Sequence, residues 1–198
     1  MLHLILRYKK VILASTSPRR AQIFSMLNIP FITMNPDYNE EELSKKNSPY
    51  KFVQVAAKQK VISILPKITS DSFVIGADTI VFQKGQIITK PTSIEDATKI
   101  LNRLSGKKHT VYTGICIFYK GKIVCDYSKT SVYFYPINKS VIHSYILTKE
   151  PFDKAGGYGF QGIGGQFIER INGCAYNVIG FPVSLFAKLT KKIIDDKS

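Results

Sequence analysis

The chain is short of arginine, short of acid, and lacks the common signatures of metal, nucleotide and nucleophile chemistry. It contains no GxxxxGK[ST] phosphate loop, no HExxH pair, no GxSxG elbow and no CxxC. P-loop nucleotidases, HExxH metalloproteases, elbow-type serine hydrolases and thioredoxin-like redox proteins are set aside on that ground. Cys116, Cys125 and Cys174 lie far from the histidines and show no ligand spacing. Neither a zinc site nor a disulfide framework is implied, and a reducing, cytoplasmic setting fits. No stretch approaches the ~18 apolar residues of a membrane span, so no membrane partner is expected. The opening MLHLILRYKK has too short an apolar run for a signal peptide. Without a Gly/Ser-rich or Pro-rich linker or an internal repeat, 198 residues at 44% hydrophobic content read as one domain over 1–198.

Basic residues outnumber acidic ones, 28 against 14, for a formal charge of +14. Such a balance attracts polyanions in general. The lysines are nevertheless scattered, with no dense basic block and no aromatic-rich basic stripe, so nucleic acid is not the expected partner. Arginine occurs only at Arg7, Arg19, Arg20, Arg103 and Arg170. Against that scarcity, the adjacent pair Arg19-Arg20 calls for a reason.

The pair sits in VILASTSPRR, residues 11–20. Val11–Ala14 reads as a short buried strand. Ser17 is a good N-cap and Pro18 a good first helical residue, which puts both arginines in a first helical turn. A helix start already carries about half a positive charge and favours acids. Two cations are therefore misplaced there unless they meet an anion. Ser15, the neighbouring hydroxyls, the amides of the turn and both guanidinium forks would suit a phosphate.

Periodicity extends the reading along the chain. Helices are expected at Pro18–Leu27, Tyr50–Leu65, after Ser93 to Leu104, at Ser140–Leu147 and at Pro182–Ile194. Strands are expected at Phe31–Met34, Phe73–Phe82, Thr110–Phe118 and Ile123–Tyr135, near Gln166–Ile171 and at Ala175–Ile179. Gly85 and the Lys120-Gly121-Lys122 segment mark hairpins. The pattern is α/β to α+β, a mixed sheet covered by helices.

Three polar groups break local rules. Asp78 lies within the apolar strand FVIGADTIVF, where a carboxylate must be paired, hydrogen-bonded or metal-bound. It reads either as a satisfied structural acid or as a metal ligand or general base. Gly76 beside it suggests close approach of another group. Lys60 shares the apolar stripe of its helix with Ala56 and Ile64. It either snorkels to solvent or reaches a buried carboxylate or phosphate. Gln161 is a lone amide in Gly156–Gly165, where six of ten residues are glycine. It is suited to a base edge, although a plain surface amide reads equally well. Lys90 and Glu40 are unremarkable by themselves. Gly157-x-Gly159-x-x-Gly162 matches a dinucleotide fingerprint but neither follows a strand nor opens a helix, so that reading is rejected.

Taken in order, LASTSPRR (13–20), AKQK (57–60), GADTIV (76–81), KP (90–91), LSGKKHTVYTG (104–114), EPFDKAGGYGFQGIGG (150–165), ING (171–173) and VIGFP (178–182) resemble the Maf family of nucleotide pyrophosphatases. The resemblance implies hydrolysis of nucleoside triphosphates to monophosphate and pyrophosphate with Mg²⁺ or Mn²⁺. It also implies homodimers and an elongated mixed sheet flanked by helices, related to the inosine triphosphate pyrophosphatases, with the site in a cleft. Carried over motif by motif, it implies catalytic roles for Asp78, Lys60, Lys90 and Arg19. It implies substrate binding by Ser15, Arg19, Arg20, Thr79 and Gln161, and metal binding by Asp78 and Glu40, the latter in a run of three glutamates. Tyr158-Gly159-Phe160-Gln161-Gly162 matches the branch acting on dTTP and UTP; the branch acting on 7-methyl-GTP carries glutamate for that glutamine. Gly157 and Val61 stand where the family often has alanine, and neither alters a charged group.

Two rival readings stay open: the same chemistry on 7-methyl-GTP or other modified nucleotides, and a non-catalytic nucleic-acid-binding or division-regulating protein. Intact Arg19, Lys60, Asp78, Lys90 and Gln161 speak against the second.

Overall fold

The computed structural model describes residues 2–38, 48–68 and 71–195. In chain order these form α1 (Leu2–Leu6), β1 (Val11–Ala14), α2 (Pro18–Met26), β2 (Ile32–Met34), α3 (Pro49–Ile62), β3 (Phe73–Gln83), β4 (Gln86–Ile88) and α4 (Ile94–Leu104). Then come β5 (Lys108–Tyr119), β6 (Lys122–Phe134), α5 (Lys139–Leu147), β7 (Ile168–Asn172), α6 (Ala175–Ile179) and α7 (Val183–Asp195). The strands make one mixed sheet in the order β2-β1-β3-β5-β6-β7, with β4 paired to β3. The expected α/β class, a mixed sheet with helices, is what the chain adopts.

β1 is parallel to both β2 and β3, with Ile12 opposite Ile32 and Ala14 opposite Gly76. Parallel neighbours need a crossover, and α2 and α3 lie between them in the chain. Two hairpins reverse direction with two-residue turns. Lys84 and Gly85 take φ of 47° and 77°, and Lys120 and Gly121 take 48° and 78°. Positive φ at both central positions is the turn whose twist matches the flanking strands. α4 begins as its sequence asks: Ser93 accepts from the Asp96 amide at 3.1 Å, and Asp96 accepts from the Thr92 amide at 3.1 Å.

The chain divides into two compact units. One holds Met1–Asp78, Thr113–Ser128 and Gly180–Ser198; the other holds Thr79–Tyr112 and Lys129–Ile179. In the first, Ile12, Ala14 and Val74 of the sheet pack with Ala57, Val61 and Ile64. Phe24 adds an aromatic knot, its ring 5.0 Å from Phe181 and 5.5 Å from Phe186. α3 lies unusually close to the sheet in this unit. A Cβ on Gly76 would collide with the Ala57 carbonyl oxygen and come within 2.8 Å of Val61 Cγ2. One on Gly114 would collide with the Val53 carbonyl oxygen and stand 2.9 Å from the Gln54 amide. The close approach expected at Gly76 is therefore the backbone of α3.

In the second unit Leu101, Leu104, Val132, Ile142 and Phe167 form the core. His109 is buried there, its ring 4.9 Å from that of Phe134. It shares a 2.7 Å hydrogen bond through Nε2 with the Tyr158 hydroxyl. Among the described residues its Nδ1 has no partner. Burial holds the imidazole neutral, with its pKa pushed down to about 3.

Two expectations are corrected. Ala175–Ile179 is a helix, not a strand. Its residues favour strands, but the chain turns at Gly173, with φ of 132°. Thr130 Oγ1 then takes up both the amide and the carbonyl of Cys174, at 3.1 and 3.0 Å. The Asn177 amide donates to Val111 O at 3.0 Å. These side-chain contacts replace a strand ladder. Cys116 and Cys125, expected to be unbridged, are joined as a disulfide. The two-residue turn at Lys120-Gly121 folds β6 back on β5 and sets the two cysteines opposite each other, with Cα atoms 4.1 Å apart. Linear spacing conceals that register.

Two outcomes follow for stability. Gly114→Ala drives a methyl group into the backbone of α3 and lowers stability by about 2 kcal/mol in urea unfolding. For His109, the folded pKa lies below the unfolded value of 6.5. Its contribution is present above pH 6.5 and lost as pH falls through the range down to about 3. Urea midpoints of wild type should drop between pH 7 and pH 5 at up to about 1.4 kcal/mol per pH unit below the unfolded pKa. His109→Gln should flatten that dependence.

Candidate active site

The carboxyl end of β1 and the middle of β3 bring the first set of predicted residues together. The two strands are parallel and Ala14 pairs with Gly76. Ser15, next after Ala14, and Asp78, two residues past Gly76 on β3, therefore both lie just beyond the carboxyl end of β1. Crevices outside the carboxyl ends of parallel strands are where α/β folds bind ligands.

Asp78 and Lys60 meet by the periods of their elements. Side chains two apart on a strand share a face, so Asp78 faces the same way as Gly76, toward α3. On that helix, Lys60 follows Ala57 by three residues and so lies on the same face. Lys60 Nζ donates to Asp78 Oδ1 at 2.6 Å. The two side chains are only 9% and 6% exposed. Lys60 does not snorkel; it reaches the buried carboxylate. Desolvating both charges is costly, and their attraction repays the cost only while both are present. Thr79, the next residue of β3, is half-buried, and strand alternation turns it to the opposite face.

The STSPRR turn splits the two arginines. Ser17 occupies the N-cap position of α2, as expected, but its side chain makes no capping hydrogen bond. Its amide donates instead to Ser15 Oγ at 3.2 Å. Arg20 is 9% exposed and turned inward. Its Nη1 donates to the same Ser15 Oγ at 3.1 Å, and its Nε to the Gly180 carbonyl at 3.0 Å. Arg19 is half-buried.

Lys90 and Gln161 belong to the second unit and are exposed. Gln161 rides on the glycine segment between two short 3₁₀ turns, Ala155–Gly157 and Ile163–Phe167. Glu40 lies outside the described residues. Among the described residues no three His, Cys, Asp or Glu side chains cluster as a metal site. No helix among them is long and apolar enough to cross a membrane.

Two contributors escape the sequence reading. Gly114 admits α3 together with Gly76. A glycine in an apolar strand is the only signal for it. Glu150 is the second. Its carboxylate accepts from the Ile163 amide at 2.8 Å, the Gly164 amide at 3.1 Å and the Tyr145 hydroxyl at 3.1 Å. An acid at the head of a glycine-rich segment, whose amides need acceptors, is the signal that would have found it.

A family model described as Maf-like protein matches residues 10–193. The chain belongs to that family. Among its curated relatives is a dTTP/UTP pyrophosphatase of Clostridium perfringens (strain SM101), 43% identical over 181 residues that cover 90% of this chain and 94% of that protein. A dTTP/UTP pyrophosphatase of Bacillus cereus (strain ATCC 14579) is 40% identical over 184 residues, covering 93% of this chain and 95% of that protein. Among solved structures, the Staphylococcus aureus Ham1 protein aligns with a TM-score of 0.47 at 16% identity, over 81% of this chain and 80% of that one.

Removing one member of the buried ion pair exposes the cost of the other. Lys60→Met and Asp78→Asn should each lower stability by about 3 kcal/mol. The double variant should lose less than the sum. Full additivity in urea unfolding would rule out the coupling.

Proposed function

We propose that this chain hydrolyses dTTP and UTP to the monophosphate and pyrophosphate. The observation that carries the reading is the buried Lys60–Asp78 pair in the middle of β3, just past the level at which β1 ends in the Ser15–Arg20 turn. A carboxylate and several cations beyond the carboxyl end of a parallel strand support a site for an anionic ligand. The similarity to dTTP/UTP pyrophosphatases over nine tenths of the chain supports the choice of substrates.

In this reading Asp78 takes a proton from the water that attacks the α-phosphorus. Lys60, bonded to Oδ1, fixes the orientation of that carboxylate. Arg19 binds phosphate oxygens from the first turn of α2, where amides and helix dipole add to its charge. Arg20 fixes the Ser15 hydroxyl that lines the turn, and through it the backbone that meets the phosphates. Lys90 neutralises charge on the leaving pyrophosphate, Thr79 adds a hydroxyl contact, and Gln161 reads the edge of the pyrimidine. The roles of Lys90, Thr79 and Gln161 rest on the sequence motifs alone.

A divalent cation, Mg²⁺ or Mn²⁺, would add charge neutralisation on the phosphate oxygens. The donor chemistry at Asp78 fits such a hard ion. Mg²⁺ is ordinarily held by one or two carboxylates together with substrate phosphates and waters, not by a cage of protein ligands. Asp78 would be one ligand and Glu40 the second. On the same family reading, the whole chain works as one functional domain, as a homodimer and in the cytoplasm.

A panel of dTTP, UTP, 7-methyl-GTP and the common nucleotides, with Mg²⁺ or Mn²⁺, tests the reaction and the substrate. Pyrophosphate should be released from dTTP and UTP. Orthophosphate as the product would sink the reaction, and preference for 7-methyl-GTP would reassign the substrate. Asp78→Asn should abolish turnover while circular dichroism shows the native fold. Near-normal kcat in that variant would remove Asp78 from catalysis.

A further inference from the structure

The segment Tyr158–Gly165 has four glycines in eight residues. Such a segment has little side-chain surface with which to hold a shape, and each glycine gives up more chain entropy on ordering than any other residue. It is held from beneath by one carboxylate. Glu150 stands at the start of a 3₁₀ turn, Glu150–Asp153, just after α5. Its Oε2 accepts from the Ile163 amide, and its Oε1 from the Gly164 amide and the Tyr145 hydroxyl. Tyr145 is itself anchored in the core of its unit, its ring 4.9 Å from Phe167. Lys154 Nζ donates to the Glu150 carbonyl at 2.8 Å and ties the base of the turn.

The glycines are spaced around this carboxylate. A Cβ at Gly159 would stand 2.9 Å from Glu150 Oε1, and one at Gly162 would stand 2.6 Å from Oε2. At Gly164 it would meet the Tyr145 hydroxyl at 2.6 Å. Three glycines of the segment are thus places where a side chain would displace Glu150 or its partner. Gln161 lies between the first two of them, exposed, and the same acid bonds the backbone amides that follow it, at Ile163 and Gly164.

We infer that Glu150 is a positioning residue: its carboxylate fixes the glycine segment so that the Gln161 amide is presented in one orientation to the pyrimidine. The inference rests on the reading of Gln161 given above. Glu150 touches no substrate in it and acts only through the backbone of 162–164. The carboxylate is well suited to this. Burial raises its pKa, but the amides of Gly164 and Ile163, the Tyr145 hydroxyl and the charge of Lys154 outweigh burial and hold it below the usual range.

The near-isosteric Glu150→Gln replaces one acceptor oxygen with a donor and breaks part of the triad. Three readouts are made on the full-length protein with dTTP and UTP. Amide exchange at Ile163 and Gly164 should accelerate at least tenfold. KM should rise about tenfold with kcat changed less than twofold, as expected for losing hydrogen bonds to a charged group. The double variant Glu150→Gln/Gln161→Ala should have the KM of Gln161→Ala alone. Tyr145→Phe removes one of the three donors and should give a smaller rise. Unchanged exchange, unchanged KM or additive effects in the double variant would each overturn the proposal. If Gln161→Ala itself leaves KM unchanged, the reading of Gln161 has failed and the proposal falls with it. Accelerated exchange in Glu150→Gln would then show that the packing was nonetheless right.

Discussion

Everything around Asp78 depends on how closely the backbone of α3 lies against the sheet. Gly76 and Gly114 are the two places where a Cβ would meet that helix's own carbonyl oxygens, at Ala57 and Val53. Those carbonyls are four residues apart, one turn of helix, so the two glycines seat two successive turns. With the helix so near, Lys60 reaches across to Asp78 at 2.6 Å, and the pair keeps only 9% and 6% of its side-chain surface exposed. The sequence pays for this geometry twice: in chain entropy at two strand glycines, and in desolvation of two charges. A purely structural contact would be met more cheaply by apolar side chains. That imbalance is the physical reason for treating the pair as functional.

The electrostatic misfit at the start of α2 has a two-part resolution. Arg20 is placed against a helix start but turns inward. It donates to the Gly180 carbonyl and the Ser15 hydroxyl. These acceptors come from the segment before α7 and from the end of β1, so one side chain ties three parts of the first unit together. Its guanidinium has a fork wide enough to do this; the single ammonium of a lysine would not span both. Arg19, half-buried beside it, is the one that meets phosphate in the proposed function. Adjacent arginines thus differ in task because consecutive helical positions point about 100° apart.

Much of this was legible in the residues. Asp78 in an apolar strand, Lys60 on an apolar helix stripe, and Gly76 between two buried runs each violate a local rule. Their juxtaposition follows from two periods, 2 and 3.6, once the helix is known to cover the strand. The Lys-Gly hairpins and the Ser93 cap are local chemistry and read directly. Features set by side chains distant in sequence were not legible. Ala175–Ile179 has strand-like composition, and only the contacts of Thr130 and Asn177 turn it helical. The Cys116–Cys125 pairing needs the hairpin register before it becomes visible. Glu150 looked like one acid in a polar stretch, because its partners are backbone amides and those carry no letter in the sequence.

Three ionisable groups are withdrawn from water in three different ways, and the differences set how the fold meets acid. Asp78 is matched by a cation. Glu150 is matched by amides and a hydroxyl, and His109, among the described residues, by one hydroxyl at Nε2 with no partner at Nδ1. Protonation therefore acts on them in sequence. His109 begins to favour the unfolded chain as soon as pH falls below 6.5, because only the unfolded imidazole can charge freely there. Glu150, with its folded pKa depressed, keeps its contribution until pH drops below 4.5 and loses it further down. His109 bonds to Tyr158, which opens the glycine segment, while Glu150 holds the far end of the same segment. The first acid-sensitive contacts in the second unit thus bracket Gln161. Loosening of that segment should accompany the first loss of stability on the acid side, since both of its anchors weaken as pH falls.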